Sequence, residues 1–144
     1  MSIYGFDESL NKAEVPSMDA FEAVEDMTVD SGWQTATLAS PFSPDASNPV
    51  RYRKMGKTVY ITGAVSNSEA IAAGGTATTI FTLPEGYRPE HGQYLIGKGI
   101  GRYTYYLRIY ASGRVTISNY GAGASDENIP RNTWVSVTAS FPVG

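Results

Sequence analysis

An antiparallel all-β fold is what this sequence predicts, on three observations. Of the 15 glycines, all but Gly5 lie from Gly32 onward, where they punctuate short runs rich in Thr, Val, Ile and Tyr. Within those runs apolar and polar residues alternate in steps of two, the period of a half-buried strand. No substantial helical pattern separates the runs, so the crossover helices of a parallel sheet are missing.

Eight candidate strands follow in order: 33–38, 50–55, 58–66, 78–83, 94–98, 104–110, 114–119 and 133–141. In the third, Val59, Ile61, Gly63 and Val65 share one face, and Tyr60, Thr62 and Ala64 the other. In the sixth, Tyr105, Leu107 and Ile109 oppose Tyr106, Arg108 and Tyr110. Val135, Val137, Ala139 and Phe141 make a last inward row. Two turns support the scheme. Gly56, between Met55 and Lys57, is free to take positive φ in a hairpin. Ala111-Ser112-Gly113-Arg114 does the same for a second hairpin. Pro84, Gly86 and Pro89 mark one loop; Pro41, Pro44 and Pro49 mark a longer one expected to cross between sheets. Short antiparallel strands in this number read as a sandwich, jelly roll or small barrel. The expectation is a β-sandwich or jelly-roll-like head over residues 32–144.

Residues 1–31 read differently. Over residues 1–30, Asp7, Glu8, Glu14, Asp19, Glu22, Glu25, Asp26 and Asp30 face only Lys12, a net charge of −7. The remainder carries ten Lys and Arg against Asp45, Glu69, Glu85, Glu90, Asp126 and Glu127, a net charge of +4. An acidic tail on a mildly basic body is either an interaction segment or a solubilising leader. Ser17 fits a helix N-cap with Asp19 in the first turn, and Ala20, Phe21, Val24 and Met27 fit one apolar side. A helix that short is marginal alone, so it must pack on its own body, a sister chain or a larger assembly. The segment is expected to be helical or extended, and to dock.

Composition excludes several kinds of chemistry. There is no cysteine, hence no disulfide scaffold, thiol nucleophile or thiolate metal site. His91 is the single histidine, so a multi-histidine metal site is excluded. It precedes Gly92 in a proline-marked loop, where an exposed loop histidine needs no catalytic explanation. No apolar run approaches the ~18–20 residues of a membrane helix, so no membrane insertion is expected. The cations are dispersed and the pI is about 5.1, against nucleic-acid binding. Gly92-Gln-Tyr-Leu-Ile-Gly97-Lys98 has the spacing of a phosphate-binding loop, but Gly99 replaces the hydroxyl residue and no helix pattern follows. Asp126 and Glu127 are adjacent, so on an extended backbone they point apart and do not converge as a catalytic pair. No cofactor is implied, and the reading is not of an enzyme.

The aromatic residues carry more information. Tyr103, Tyr105, Tyr106, Tyr110 and Tyr120 cluster with Arg102, Arg108 and Arg114. Aromatic rings stack on the apolar faces of sugars, while Arg and hydroxyl groups bond to ring substituents and phosphate. The same residues suit protein interfaces, and tyrosine is also an ordinary strand residue. Tyr103, Tyr106, Arg108, Tyr110 and Tyr120 are therefore the candidates for a saccharide site or a subunit interface, with plain sheet packing a third reading.

The order of several pieces resembles a known group. These are Gly32-Trp33-Gln34-Thr35-Ala36-Thr37-Leu38, then Val50-Arg51-Tyr52-Arg53-Lys54-Met55-Gly56-Lys57-Thr58-Val59-Tyr60-Ile61-Thr62-Gly63, Leu83-Pro84-Glu85-Gly86-Tyr87-Arg88-Pro89, Ile109-Tyr110-Ala111-Ser112-Gly113-Arg114-Val115-Thr116-Ile117 and Trp134-Val135-Ser136-Val137. Together they are similar to the C-terminal heads of phage tail fibre and receptor-binding proteins. The resemblance implies a virion structural protein on the tail or capsid surface, made in the host cytoplasm. It implies a homotrimer that adsorbs to a host surface glycan, with residues 1–31 contacting other virion proteins. A capsid head-fibre or decoration protein without a ligand, and a carbohydrate-binding module, are the alternatives.

Overall fold

The computed structural model describes residues 29–143 except 75, 102 and 120–127. The described residues form eleven strands and no helix. They are β1 (Gln34–Thr35), β2 (Phe42–Pro44), β3 (Arg51–Met55), β4 (Thr58–Thr62), β5 (Ala64–Asn67), β6 (Thr78–Thr82), β7 (Gln93–Lys98), β8 (Thr104–Ile109), β9 (Arg114–Ser118), β10 (Trp134–Ser136) and β11 (Ala139–Pro142). They make three antiparallel sheets, ordered β1-β3-β4-β11, β10-β5-β2 and β6-β9-β8-β7. A bridge between Gly99 and Val135 joins the three-stranded sheet to the end of β7. One cluster of buried side chains, including Val59, Phe81, Leu107, Ile117, Val135 and Phe141, draws on all three sheets. This is an all-β sandwich head, as the strand periodicity predicts.

The differences from expectation have physical causes. The predicted strands at 58–66 and 133–141 each split in two. Their pairing nevertheless runs without slip, from Trp134 opposite Ser66 to Pro142 opposite Thr58. The break falls at Gly63, which has a φ of +125 and whose added Cβ would stand 2.5 Å from the Pro49 carbonyl oxygen. The Val137 N–H donates to the Gly63 carbonyl at 2.8 Å, so the ribbon passes from one sheet to the next while staying paired. The proline-marked loop does not end in a second sheet, as expected: the strands on either side of it, β1 and β3, pair with each other, and the loop visits the three-stranded sheet only through β2, which pairs with β5. The first predicted strand shrinks to two residues and a bridge from Leu38 to Phe81. The predicted helix over residues 17–27 lies outside the described residues.

Buried polar groups are used to fix the loops. Asn67 is fully buried. Its amide donates to the Glu69 and Pro130 carbonyls, both at 2.9 Å, and its Oδ1 accepts from the Thr133 N–H and hydroxyl. That satisfies every polar atom of the side chain and ties β5 to the segment entering β10.

Candidate functional site

Strands β7 and β8 pair from Gln93 opposite Ile109 to Lys98 opposite Thr104. Alternation sends Leu95, Tyr105, Leu107 and Ile109 toward the core, and Tyr94, Ile96, Tyr106 and Arg108 outward. The register places Tyr94 opposite Arg108, and Ile96 opposite Tyr106. The outward side chains then stack. The Arg108 guanidinium lies 4.2 Å from the Tyr110 ring centroid and 5.1 Å from that of Tyr94. Arg114 lies 5.1 Å from the Tyr110 ring centroid, and its Nε donates to the Thr79 hydroxyl at 2.9 Å. Tyr94 and Tyr106 have centroids 6.0 Å apart, with planes tilted by 37°. Tyr106, Tyr94, Arg108, Tyr110 and Arg114 thus form a continuous row across three strands. Each exposed cation–π contact contributes about 0.5–1 kcal/mol. Among the described residues, the buried Arg108 Nε has no hydrogen-bond partner.

The row ends on an exposed apolar rim. Ile96 is 85% and Tyr94 60% exposed, both on an edge strand of their sheet.

The opposite face of the same strands is closed. Tyr105 is buried, and its hydroxyl shares one hydrogen between the carbonyls of Ser136 at 2.6 Å and Lys98 at 2.8 Å. Burial pushes this phenol well above the ordinary tyrosine range. A Cβ on Gly97 would stand 2.2 Å from the Tyr105 ring, and one on Gly99 would stand 2.9 Å from the Trp134 carbonyl oxygen. Gly97, the second glycine of the phosphate-loop-like spacing, is therefore with Gly99 a seat for a buried ring. His91 is an exposed loop residue whose carbonyl accepts a hydrogen bond from the Gln93 side chain at 3.0 Å. Among the described residues, no three His, Asp or Glu side chains group as a metal site would require.

Of the sequence-predicted site residues, Tyr106, Arg108 and Tyr110 come together on one face. Tyr103 does not join them; it is partly buried against the core. Tyr120 lies outside the described residues, as do Asp126 and Glu127. Tyr94 was not among the candidates. Its outward direction follows from alternation, but its place beside Arg108 depends on the β7–β8 register, which the sequence pattern leaves open.

A second aromatic surface lies on the β1-β3-β4-β11 sheet. The Trp33 ring stands between the guanidinium groups of Arg51, at 5.3 Å, and Arg53, at 5.6 Å. Arg53 also forms an ion pair with Asp30. This pair and the Gly32 N–H hold the Asp30 carboxyl down to about 2. Beside Trp33 runs a groove of ≈ 640 Å³ lined by Met55, Tyr60, Leu95 and Thr138 among others.

These features define the class: a compact strand-only head that exposes stacked aromatic and arginine side chains. Among solved structures the fold is similar to the head domain of the lactococcal phage bIL170, from a study of phage receptor-binding domains. That match has a TM-score of 0.57 and 15% identity, and covers 78% of this chain and 97% of the other. It is also similar to the receptor binding protein of Listeria phage PSA, with a TM-score of 0.52 and 17% identity, covering 98% of this chain and 80% of the other. No protein-family model matches the chain, and no curated protein sequence matches it. At these identities the likeness is one of fold: the chain has the architecture of phage receptor-binding heads.

Proposed function

We propose that this chain is a non-enzymatic phage virion protein, a receptor-binding head that adsorbs to a saccharide on the host surface. The observation that carries the reading is the shared fold with two receptor-binding heads. The Tyr94–Tyr106–Arg108–Tyr110 row supports it chemically. It offers flat ring faces to sugar C–H surfaces and guanidinium donors to hydroxyl or phosphate groups. Arg108 Nε, a buried donor without an acceptor, is the kind of group that a bound acceptor would satisfy. The head works as a homotrimer on the virion surface. The exposed Ile96 rim on strand β7 supports self-association, because a second copy would cover it. Residues 1–31 provide the contact with other virion proteins.

The test is binding of the purified full chain to cell walls from lactococcal and Listeria strains and to a glycan array. Binding is expected for at least one wall. Arg108→Ala and Tyr110→Ala are expected to weaken it by about ten-fold or more, equivalent to ~1.4 kcal/mol, with the unfolding midpoint nearly unchanged. Binding to no wall by a folded protein overturns adsorption and favours a capsid decoration role. Light scattering should give three times the 15.5 kDa chain mass; a monomer at micromolar concentration removes the trimer.

A further inference from the structure

The described chain begins as an added strand beside the β3–β4 hairpin. Asp30 bridges Met55 in antiparallel sense. The Gly56 N–H donates to the Val29 carbonyl at 2.8 Å, and the Ser31 N–H to the Lys54 carbonyl at 2.9 Å. The Lys54 N–H in turn donates to the Ser31 hydroxyl at 3.0 Å. This register sets Val29 beside the turn at Gly56, next to Lys57.

A groove of ≈ 480 Å³ opens at that point. It is lined by Val29, Lys54, Lys57, Tyr87, Arg88 and Val143, with small residues between them. Among the described residues, three cations line it and no carboxylate does. Arg88 is anchored there, its Nε donating to the Leu83 carbonyl at 2.9 Å. Cationic rims around an apolar floor of Val29, Tyr87 and Val143 fit an acidic, amphipathic peptide.

The sequence immediately before Val29 has that composition. Residues 19–28 hold Asp19, Glu22, Glu25 and Asp26, the apolar Phe21, Val24 and Met27, and no Lys or Arg. Glu25 is four residues from Val29, so it lies within about 14 Å at full extension. Attachment at Val29 also makes the encounter intramolecular, at an effective concentration in the millimolar range.

We propose that this groove seats the acidic stretch 19–28 of the same chain. The head then carries part of its own leader, and the virion contact proposed for residues 1–31 narrows to residues 1–18. This does not depend on the saccharide reading and is tested without host or virion.

The test is digestion of the full chain with a protease that cuts after glutamate. Glu14 lies outside the seated stretch and serves as the internal reference; Glu22 and Glu25 lie within it. Cleavage at Glu22 and Glu25 is expected to be at least ~10-fold slower than at Glu14 in dilute buffer. It should rise to the Glu14 rate in 1 M NaCl, where the screening length is about 3 Å. The Lys54→Glu/Lys57→Glu variant should show the same rise with its unfolding midpoint monitored in parallel. Glu25→Lys/Asp26→Lys, which leaves the head untouched, should release Glu22 equally. Equal rates at all three glutamates in the native chain, or protection that neither variant relieves, overturn the proposal. Carbodiimide coupling of mixed ¹⁴N and ¹⁵N chains assigns the partner. Links from Lys57 to Glu22 or Asp19 within one isotope support seating in the same chain, and links found only between isotopes overturn it.

Discussion

Strand β8 has two faces that are held in different ways. Tyr105, Leu107 and Ile109 are each 3% exposed or less and belong to the single core cluster. Burying such a side chain contributes about 1.5–3 kcal/mol. Tyr106 and Arg108 alternate with them; Tyr106 lies against Tyr94, Arg108 stacks on Tyr94 and Tyr110, and Arg114 stacks on Tyr110. Those contacts are worth less than ~1 kcal/mol each. The fold thus rests on one set of residues, and the outer row can change without unfolding the sheet beneath it. That separation is what a surface needs if its ligand is to differ while its scaffold stays the same.

The largest effect that tests this separation is in the core. Leu107→Ala should lower stability by ~2–5 kcal/mol, through lost burial and the cavity left behind. Its neighbour Arg108→Ala should cost under ~1 kcal/mol. Urea midpoints of the two variants decide the matter. Similar losses would mean that the outer row is part of the scaffold.

Much of this division was legible in the sequence, because alternation is a local property. The inward set of Tyr105, Leu107 and Ile109 and the outward set of Tyr106, Arg108 and Tyr110 follow from the two-residue period alone. The β8–β9 hairpin follows from Gly113, whose φ of 91 only glycine adopts readily. What alternation cannot provide is register. The pairing of Tyr94 with Arg108 depends on which residues of β7 and β8 stand opposite each other. The bend at Gly63 was hidden for a related reason. Residues 58–67 keep one alternation through two sheets, and the close approach of Pro49 that demands glycine comes from a segment distant in sequence. Strand β2 was missed because Pro41 and Pro44 read as breakers, yet Pro44 ends an edge strand, where a missing N–H does little harm. The Trp33 surface carried no sequence signal beyond its residue types, since Arg51 and Arg53 flank the ring only once β1 pairs with β3.

An intermediate effect is expected where the two faces of β7 differ. Gly97→Ala places a methyl group against the Tyr105 ring and should cost ~1–3 kcal/mol through overpacking. Tyr105→Phe removes the hydroxyl from the Ser136 and Lys98 carbonyls and should cost about the same. The sharper measurement is a double-mutant cycle. In a Tyr105→Leu background the Gly97→Ala penalty should shrink, because the ring that the methyl group meets is gone. A penalty that persists undiminished would place the constraint in the backbone of β7 instead of the ring.

The smallest effect separates the outer faces of the two sheets. The Tyr–Arg row is stacked, whereas Arg53 on the Trp33 face is also paired with the Asp30 carboxylate. Because Arg53 and the Gly32 N–H favour its charged form, Asp30 titrates at about 2 when folded, below its ordinary 3.8. A folded-state value below the unfolded one means that the contribution is complete above ~3.9 and is lost as pH falls toward 2. Asp30→Asn should therefore be slightly less stable than the native chain at pH 6, with a difference that closes between pH 4 and 2. In 1 M NaCl the difference at pH 6 should shrink, since the pair is at the surface. Thermal melts across that pH range measure it. A gap that stays constant down to pH 2 would show that the difference does not come from the Asp30 charge, and so that the ion pair with Arg53 contributes nothing measurable to this face.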